Sequence, residues 1–367
     1  MSPDRRPVPL LIAHERHRRG MGSDVHLVAT GDPAFLDAAL DRAEARLDEL
    51  EARWSRFRSD SELSRLNRVG ELDGASDDLL DAVDAALEGW RATDARFDPT
   101  VHDALVQAGY DRSFDQLDHL GHLARPARTG AAGGGIEPTA DDRPPTPPPG
   151  PVGIVVDREH ARIELPDGVR LDLGGLGKGL AADVLVAQLM ADGCEGACAN
   201  VGGDVRVSGR GPAGASWVVG IEDPFLPGTE LTRVGFDEGA VATSASVRRR
   251  WVGPGGEPAH HLIDPATGRP ASRGLVAVTV VAGDARWAEV LTKAAFVAGP
   301  DDGLALIEAA GARGLLVTDA GAVVRSAGFE VYEPAPAAAI HLRGATATVD
   351  LAPAPCRAPA SPMTRPA

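Results

Sequence analysis

LDLGGLGKGLAADVLVAQLM, residues 171–190, passes from alternating apolar positions through a glycine cluster with one lysine into a helical pattern. Asp172 is expected to close a strand. Gly174, Gly175 and Gly177 let the backbone turn tightly and approach a ligand with no Cβ in the way. At Lys178 and Gly179 a helix starts, and its free N–H groups and positive dipole end suit an anion. A phosphate site is the functional expectation, with a plain strand-to-helix turn and a solvated Lys178 as the alternative. The stretch is not a Walker P-loop. That motif requires glycine where Asp172 stands and Ser or Thr where Gly179 stands.

The chain has 367 residues, enough for one large or two ordinary domains with a real core. Charged residues at 25% and hydrophobic ones at 43% are those of a globular protein. Aromatics at 4%, with 43 Gly and 29 Pro, imply that part of the chain is unfolded. A net charge of −16 argues against a nucleic-acid partner, without excluding a locally positive pocket for a nucleotide. No apolar run reaches the ~18–20 residues of a membrane span. The N-terminal VPLLIA is short and followed at once by charges, unlike a secretory signal. No cysteine near the N-terminus offers a lipid acceptor, so the cytoplasm is the expected location. Cys194, Cys198 and Cys356 form neither a disulfide framework nor a complete zinc set.

Leu36, Leu40, Ala43, Leu47, Leu50 and Trp54 recur at helical spacing after Pro33, and Leu79, Leu80, Val83, Leu87 and Trp90 predict a second amphipathic helix. Between them RFRSDSELSRLNRVG reads as a polar loop with a short helix, and FDPTV reads as a turn. Residues 122–150 are a Pro/Gly stretch that cannot offset chain entropy, hence an expected disordered spacer. Strand patterns follow in VGIVVD, ARIEL, VRLDL, DVRVSG, SWVVGI, LVAVTVV, GLLVTD and AVVRSAG. Helices are expected at 179–192, about 286–298 and 302–311. Runs of strands broken by occasional long helices favour an α+β fold. Residues 1–19 and the Ala/Pro-rich 334–367 are expected to be flexible ends.

MGSDVHL from Met21, SRFRSDSELSRLN from Ser55 and FDPTV from Phe97 precede the glycine turn. NVGGDVRVSG from Asn200, WVVGIEDP from Trp217, AVATSAS from Ala240, HHLIDPATGRP from His260 and VTVVAGDARWAEVLTKAAFVAG from Val278 follow it. In this order they resemble the FAD:protein FMN transferase family, often called ApbE, across roughly residues 20–333 apart from the spacer. The resemblance implies a two-part α+β, T-fold-like architecture with the nucleotide site between the parts. It implies an enzyme that splits FAD and attaches FMN through a phosphoester to a Thr or Ser hydroxyl, releasing AMP. FAD is then a substrate, Mg2+ the implied cofactor, and an acceptor flavoprotein with a Thr/Ser flavinylation motif the partner. Such chemistry needs an in-line hydroxyl, neutralised pyrophosphate oxygens and a base.

Carried onto this chain, the resemblance puts Met21 and Phe57 at the flavin end. Phe57 stands where a Tyr is usual, and can stack on a ring or simply pack in the core. Phe97 and Asp98 match another FAD-contacting segment; an Asp-Pro turn is the plainer reading of Asp98. Asp172 would face the nucleotide, the Gly175 carbonyl would bind a divalent cation, and Lys178 would sit by the ligand. Thr243 and Ser244 would bond phosphate or ribose oxygens, with Ala245 where Gly is usual. At least one of Arg248, Arg249 and Arg250 would balance charge. Ile263 falls on a flavin-contacting position. His261 is the base candidate, its neighbour His260 leaving the choice open.

The main departure lies in ARWAEVLTKAAF, where the family's metal-binding Asp and Thr are here Glu289 and Lys293. Glu289 can still bind a cation, whereas an ammonium has donors only. Thr292 lies about 100° around the helix. Either the pair is an ordinary i,i+4 bridge with Mg2+ weakly held, or the Lys293 ammonium takes over part of the cation's charge. FAD pyrophosphatase activity and a non-catalytic flavin-binding protein are the alternative functions. A Gly344-Ala345-Thr346 run in the tail matches part of the acceptor motif but lacks its preceding residues.

Overall fold

The computed structural model describes residues 11–117, 145–333 and 349–350. The first part comprises β1 (Ile12–Gly20), β2 (Ser23–Gly31), α1 (Pro33–Trp54), α2 (Glu62–Val69), β3 (Glu71–Asp73), α3 (Asp77–Ala92), α4 (His102–Gln107) and α5 (Phe114–Leu117). Next come β4 (Val155–Asp157), β5 (Arg162–Glu164), α6 (Gly177–Ala191), β6 (Gly196–Val201), β7 (Asp204–Gly209), β8 (Trp217–Glu222), β9 (Glu230–Phe236) and β10 (Gly239–Ala245). Small hairpins follow: β11 (Arg250–Val252) with β12 (Pro258–His260), and β13 (Ile263–Asp264) with β14 (Arg269–Pro270). The series ends with β15 (Leu275–Ala282), α7 (Ala285–Ala298), α8 (Pro300–Ala309), β16 (Arg313–Thr318), β17 (Val323–Arg325) and β18 (Val349–Asp350).

Eight strands form one sheet in the order β1-β2-β6-β7-β10-β15-β16-β17, and every neighbouring pair is antiparallel. The fold is therefore α+β, as expected. Alternation along β2 sends Leu27 to a core shared with Leu40 and Leu47 of α1 and Leu185 of α6. The next residue, Val28, joins Trp217 and Phe236 of β8 and β9 on the opposite face. Helix α1 starts where the chain says it should: Pro33 occupies the first turn and the Asp32 side chain accepts from Ala34 N at 2.9 Å.

Three expectations need correction. Residues 12–19, read as flexible, belong to edge strand β1, paired with β2 along its whole length. IAHERHRRG shows no apolar alternation because its side chains lie at the sheet rim. Arg16 pairs there with Asp37 at 2.8 Å and Arg18 with Asp48, so ladder bonds and ion pairs hold it. VRLDL is not a strand. Its alternation reports burial, but its backbone bonds go to Asn67, which exchanges two 2.8 Å bonds with Leu171, and to Pro99 O. In the tail, Val349 and Asp350 pair with β8. The rest of the tail, Gly344-Ala345-Thr346, Cys356 and most of the spacer lie outside the described residues. The spacer's last residues are described. Thr146 N donates to Gln107 Oε1 at 3.3 Å and Gly150 N to Thr100 Oγ1 at 3.0 Å.

Helices α6 and α7 are locked at their N-terminal turns. A Cβ on Gly179 would run into the Ala285 carbonyl. Asp183, on α6, accepts from Ala285 N at 2.8 Å and Arg286 N at 2.9 Å, supplying partners to free donors of α7. Burial, helped by the Asp284 charge, pushes the Asp183 carboxyl up to about 7.

Candidate functional site

The glycine turn and FDPT are folded onto each other. Asp172 donates its N–H to Pro99 O at 2.8 Å, and its Oδ1 accepts from Gly174 N at 2.6 Å. A Cβ on Gly175 would sit 2.8 Å from the Phe97 ring, so that position admits only glycine while Phe97 stays in place. The Asp98 Oδ1 accepts from Thr100 N at 2.7 Å and Thr100 Oγ1 at 2.6 Å, the turn role foreseen for an Asp-Pro pair. Buried Arg56 places Nε 2.7 Å from Asp172 Oδ2, off the hydrogen-bond line, so this oxygen keeps acceptor capacity.

A cavity of about 300 Å3 opens beside this turn. Met21, Phe57, Phe97, Asp98 and Asp172 line it, as do Gly175, Lys178, His261 and Ile263. Its aromatic end is built by Phe57, Tyr110 and Phe114, with the Arg56 guanidinium 4.2 Å from the Phe57 ring centre and 4.6 Å from that of Tyr110. Phe57 is 43% exposed, so it is not core packing; one face of its ring lies under the Arg56 guanidinium. A second cavity of about 100 Å3 is lined by Gly202, Gly203, Thr243 and Ser244. Both are bordered by Gly174, Lys178, Arg249, His261 and Lys293. The two spaces thus meet at a basic junction.

Strand period separates the two hydroxyls expected to act together. Thr243 Oγ1 lies 2.9 Å from Thr279 Oγ1, whereas Ser244 Oγ turns to α7 and Thr292 Oγ1 at 2.7 Å. The arginine run also divides. Arg248 pairs with Glu222, while Arg249 turns to the junction, donating to Ser23 Oγ at 2.9 Å and Tyr110 Oη at 3.3 Å.

The histidines differ in their bonds. His260 Nε2 lies 3.1 Å from Ala271 O and its Nδ1 accepts from Leu262 N at 3.3 Å, so both nitrogens serve the hairpin. His261, the next residue, borders both cavities, and its buried Nδ1 has no hydrogen-bond partner among the described residues. Burial, reinforced by the charges of Arg249, Lys293 and Lys178, holds its pKa well below the usual imidazole value. It is therefore neutral at pH 7, the form that accepts a proton.

Behind the junction, fully buried Glu289 is enclosed by donors. Its Oε1 accepts from Lys178 Nζ at 2.5 Å and Lys293 Nζ at 2.8 Å, and its Oε2 from Gly179 N at 2.8 Å. Lys178 also pairs with buried Asp204. Burial alone would raise the Glu289 pKa; the two ammonium charges overcome it and hold the carboxyl at about 2. Asp204 moves the other way, pushed up to about 6 by burial and the Glu289 charge.

This donor set does not fit the expected Mg2+ site at Gly175 and Glu289. A cation at that carboxylate would replace three donors and stand beside two ammonium groups. A unit-charge pair 4 Å apart is worth about 4 kcal/mol at an effective dielectric of about 20, and a divalent ion doubles the repulsion from each. Thr292 offers no substitute, since its hydroxyl donates to Glu289 O at 2.7 Å and meets Ser244. Sequence reasoning missed Arg56, Tyr110 and Asp204. The first and last lie inside quoted motifs, beside Phe57 and after Gly202-Gly203, but their partners are distant in the chain.

The sequence and the fold both match known proteins. A profile described as the ApbE family matches residues 21–316. The FAD:protein FMN transferase of Vibrio cholerae is 27% identical over 312 residues, covering 81% of this chain and 85% of its own. That of Haemophilus influenzae is 26% identical over 301 residues, covering 78% and 81%. The ApbE protein of Thermotoga maritima superposes with a TM-score of 0.73 at 26% identity, covering 88% of this chain and 100% of its own. The flavin transferase ApbE of Vibrio cholerae shares the fold at a TM-score of 0.68 and 24% identity, over 88% and 99%. With the profile spanning most of its length, the chain belongs to the ApbE family of enzymes.

Proposed function

We propose that this chain transfers FMN from FAD to a Thr or Ser hydroxyl of an acceptor flavoprotein, releasing AMP. One observation carries the reading: an aromatic-ended cavity and a smaller polar one meet where Lys178, Lys293, Arg249 and His261 converge. The flavin ring would stack at Phe57 with the pyrophosphate at the junction. Asp98 and Asp172 would offer acceptors to ribose or adenine. The acceptor oxygen forms a bond to the FMN phosphorus, the anhydride P–O bond breaks, AMP leaves, and the hydroxyl proton passes to neutral His261. Lys178, Lys293 and Arg249 would hold the charge that develops on the phosphate oxygens. The cytoplasm remains part of this reading; among the described residues no helix is long and apolar enough to cross a membrane.

The test is product analysis after incubation with FAD and an acceptor flavoprotein. AMP together with acceptor-bound FMN is the expected result. AMP with free FMN would make the enzyme a pyrophosphatase, and no AMP would leave a flavin-binding protein. FAD should also bind more tightly than FMN or riboflavin, because contacts are proposed on both sides of the pyrophosphate.

A further inference from the structure

Two ammonium groups share one buried carboxylate oxygen at the junction of the cavities. We propose that Lys293, held with Lys178 on Glu289, is a resident cation for pyrophosphate binding, so that this chain binds and cleaves FAD without a divalent metal. The proposal deepens the transferase reading and rests on it.

The geometry assigns different tasks to the three residues. Glu289 borders neither cavity, whereas Lys178 and Lys293 border both. An ammonium has three donors. Lys293 spends one on Glu289, so N–H groups remain for phosphate oxygens in the cavities. Lys178 spends two, on Glu289 and Asp204. The carboxylate thus fixes both cations from behind without facing the ligand. Burial lowers the Lys293 pKa, opposed by the charges of Glu289 and Asp204; with Arg249, three cationic side chains stand against these two buried carboxylates. The excess is positive, and it lies where FAD would place its pyrophosphate.

Around Glu289 the oxygen donors for a competing metal ion are already committed. Glu289 accepts from three donors, Asp204 is paired with Lys178, and the Thr292 hydroxyl is turned to Ser244. Among the described residues, the one convergent group of three carboxylate, imidazole or thiol ligands is Glu15, His17 and His26 on β1 and β2, apart from both cavities. Lys293 would act on the reaction as a fixed charge. It would neutralise non-bridging oxygens in bound FAD and the phosphate that leaves with AMP.

The experiment measures FAD binding to the full-length protein by calorimetry, in EDTA and in Mg2+, alongside AMP release under both conditions. Wild type should give the same Kd and the same rate, within about twofold. K293T, which exchanges the ammonium for an oxygen ligand, should bind FAD at least about tenfold more weakly in EDTA and recover in Mg2+. K293M should stay weak in both. Paramagnetic Mn2+ supplies a readout independent of catalysis: adding FAD to the Mn2+-equilibrated wild type should leave the free Mn2+ signal unchanged, and adding it to K293T should deplete the signal. FAD-dependent Mn2+ uptake by wild type, or FAD binding that requires Mg2+, overturns the proposal and leaves the transferase reading standing. Absence of FAD binding under every condition overturns both. The wild-type comparison decides even where a variant fails to fold.

Discussion

His260 and His261 show how one step along a chain changes a side chain's work. His260 ends β12 with both nitrogens bonded to backbone, and burial takes its pKa down to about 4. Between pH 6.5 and 4 the unfolded chain therefore accepts a proton that the native one refuses. Stability contributed by His260 is whole above 6.5 and falls as pH falls toward 4, by up to about 3 kcal/mol. Asp183 and Asp204, held up at about 7 and about 6, act in the opposite direction over an overlapping window. The comparison is thus between wild type and His260→Gln: urea unfolding from pH 7 to 4.5 should show a shallower acid loss for the variant. Equal slopes would mean the hairpin does not exclude the proton. His261→Gln should leave FAD affinity nearly unchanged and slow AMP release by about 10²–10⁴-fold, the usual worth of a general base. A loss in affinity alone would assign His261 to binding.

Helices α6 and α7 form the frame on which the charged groups are set. Lys178 starts one helix and Glu289 with Lys293 lies on the other, so their meeting depends on how closely the two N-terminal turns approach. Gly179 permits that approach, and Asp183 with Asp284 fixes it by capping α7. Gly179→Ala puts a methyl against the Ala285 carbonyl, an overpacking change worth about 1–3 kcal/mol. It should also weaken FAD binding, because the displaced α7 carries Glu289 and Lys293 away from Lys178. Urea unfolding and FAD calorimetry on the same variant check both. A stable variant with unchanged affinity would show that the crossing tolerates a side chain and that the site is not set by it.

Across the whole molecule, the large antiparallel sheet places segments from both halves of the chain around one junction. The Pro/Gly spacer interrupts this arrangement in sequence, and its described residues, 145–150, line neither cavity. Deletion of residues 122–143 should leave the midpoint of thermal unfolding and FAD affinity unchanged. Extending the deletion through residue 150 removes the bonds from Thr146 to Gln107 and from Gly150 to Thr100, at a cost of about 0.5–1.5 kcal/mol for each bond. Differential scanning calorimetry separates the two. A large loss from the shorter deletion would assign the spacer a role in the fold.

Periodicity alone located α1, α3, α6 and α7, because a helix or strand that buries one face writes its repeat into neighbouring residues. The ordered motifs likewise marked most of the cavity-lining residues, since glycine turns and Asp-Pro pairs are local in origin. Edge strand β1 left no such mark, for its side chains bury little, and VRLDL carried the mark of burial without a strand partner. The charged centre was beyond local reading altogether. Glu289 and Lys293 spell an ordinary helix pair in sequence, worth a few tenths of a kcal/mol in water. Only tertiary packing brings Lys178 onto the same oxygen, with Asp204 beside it, and removes them from solvent. Desolvation makes unpaired charges costly and paired ones fixed, and it depends on everything folded around them.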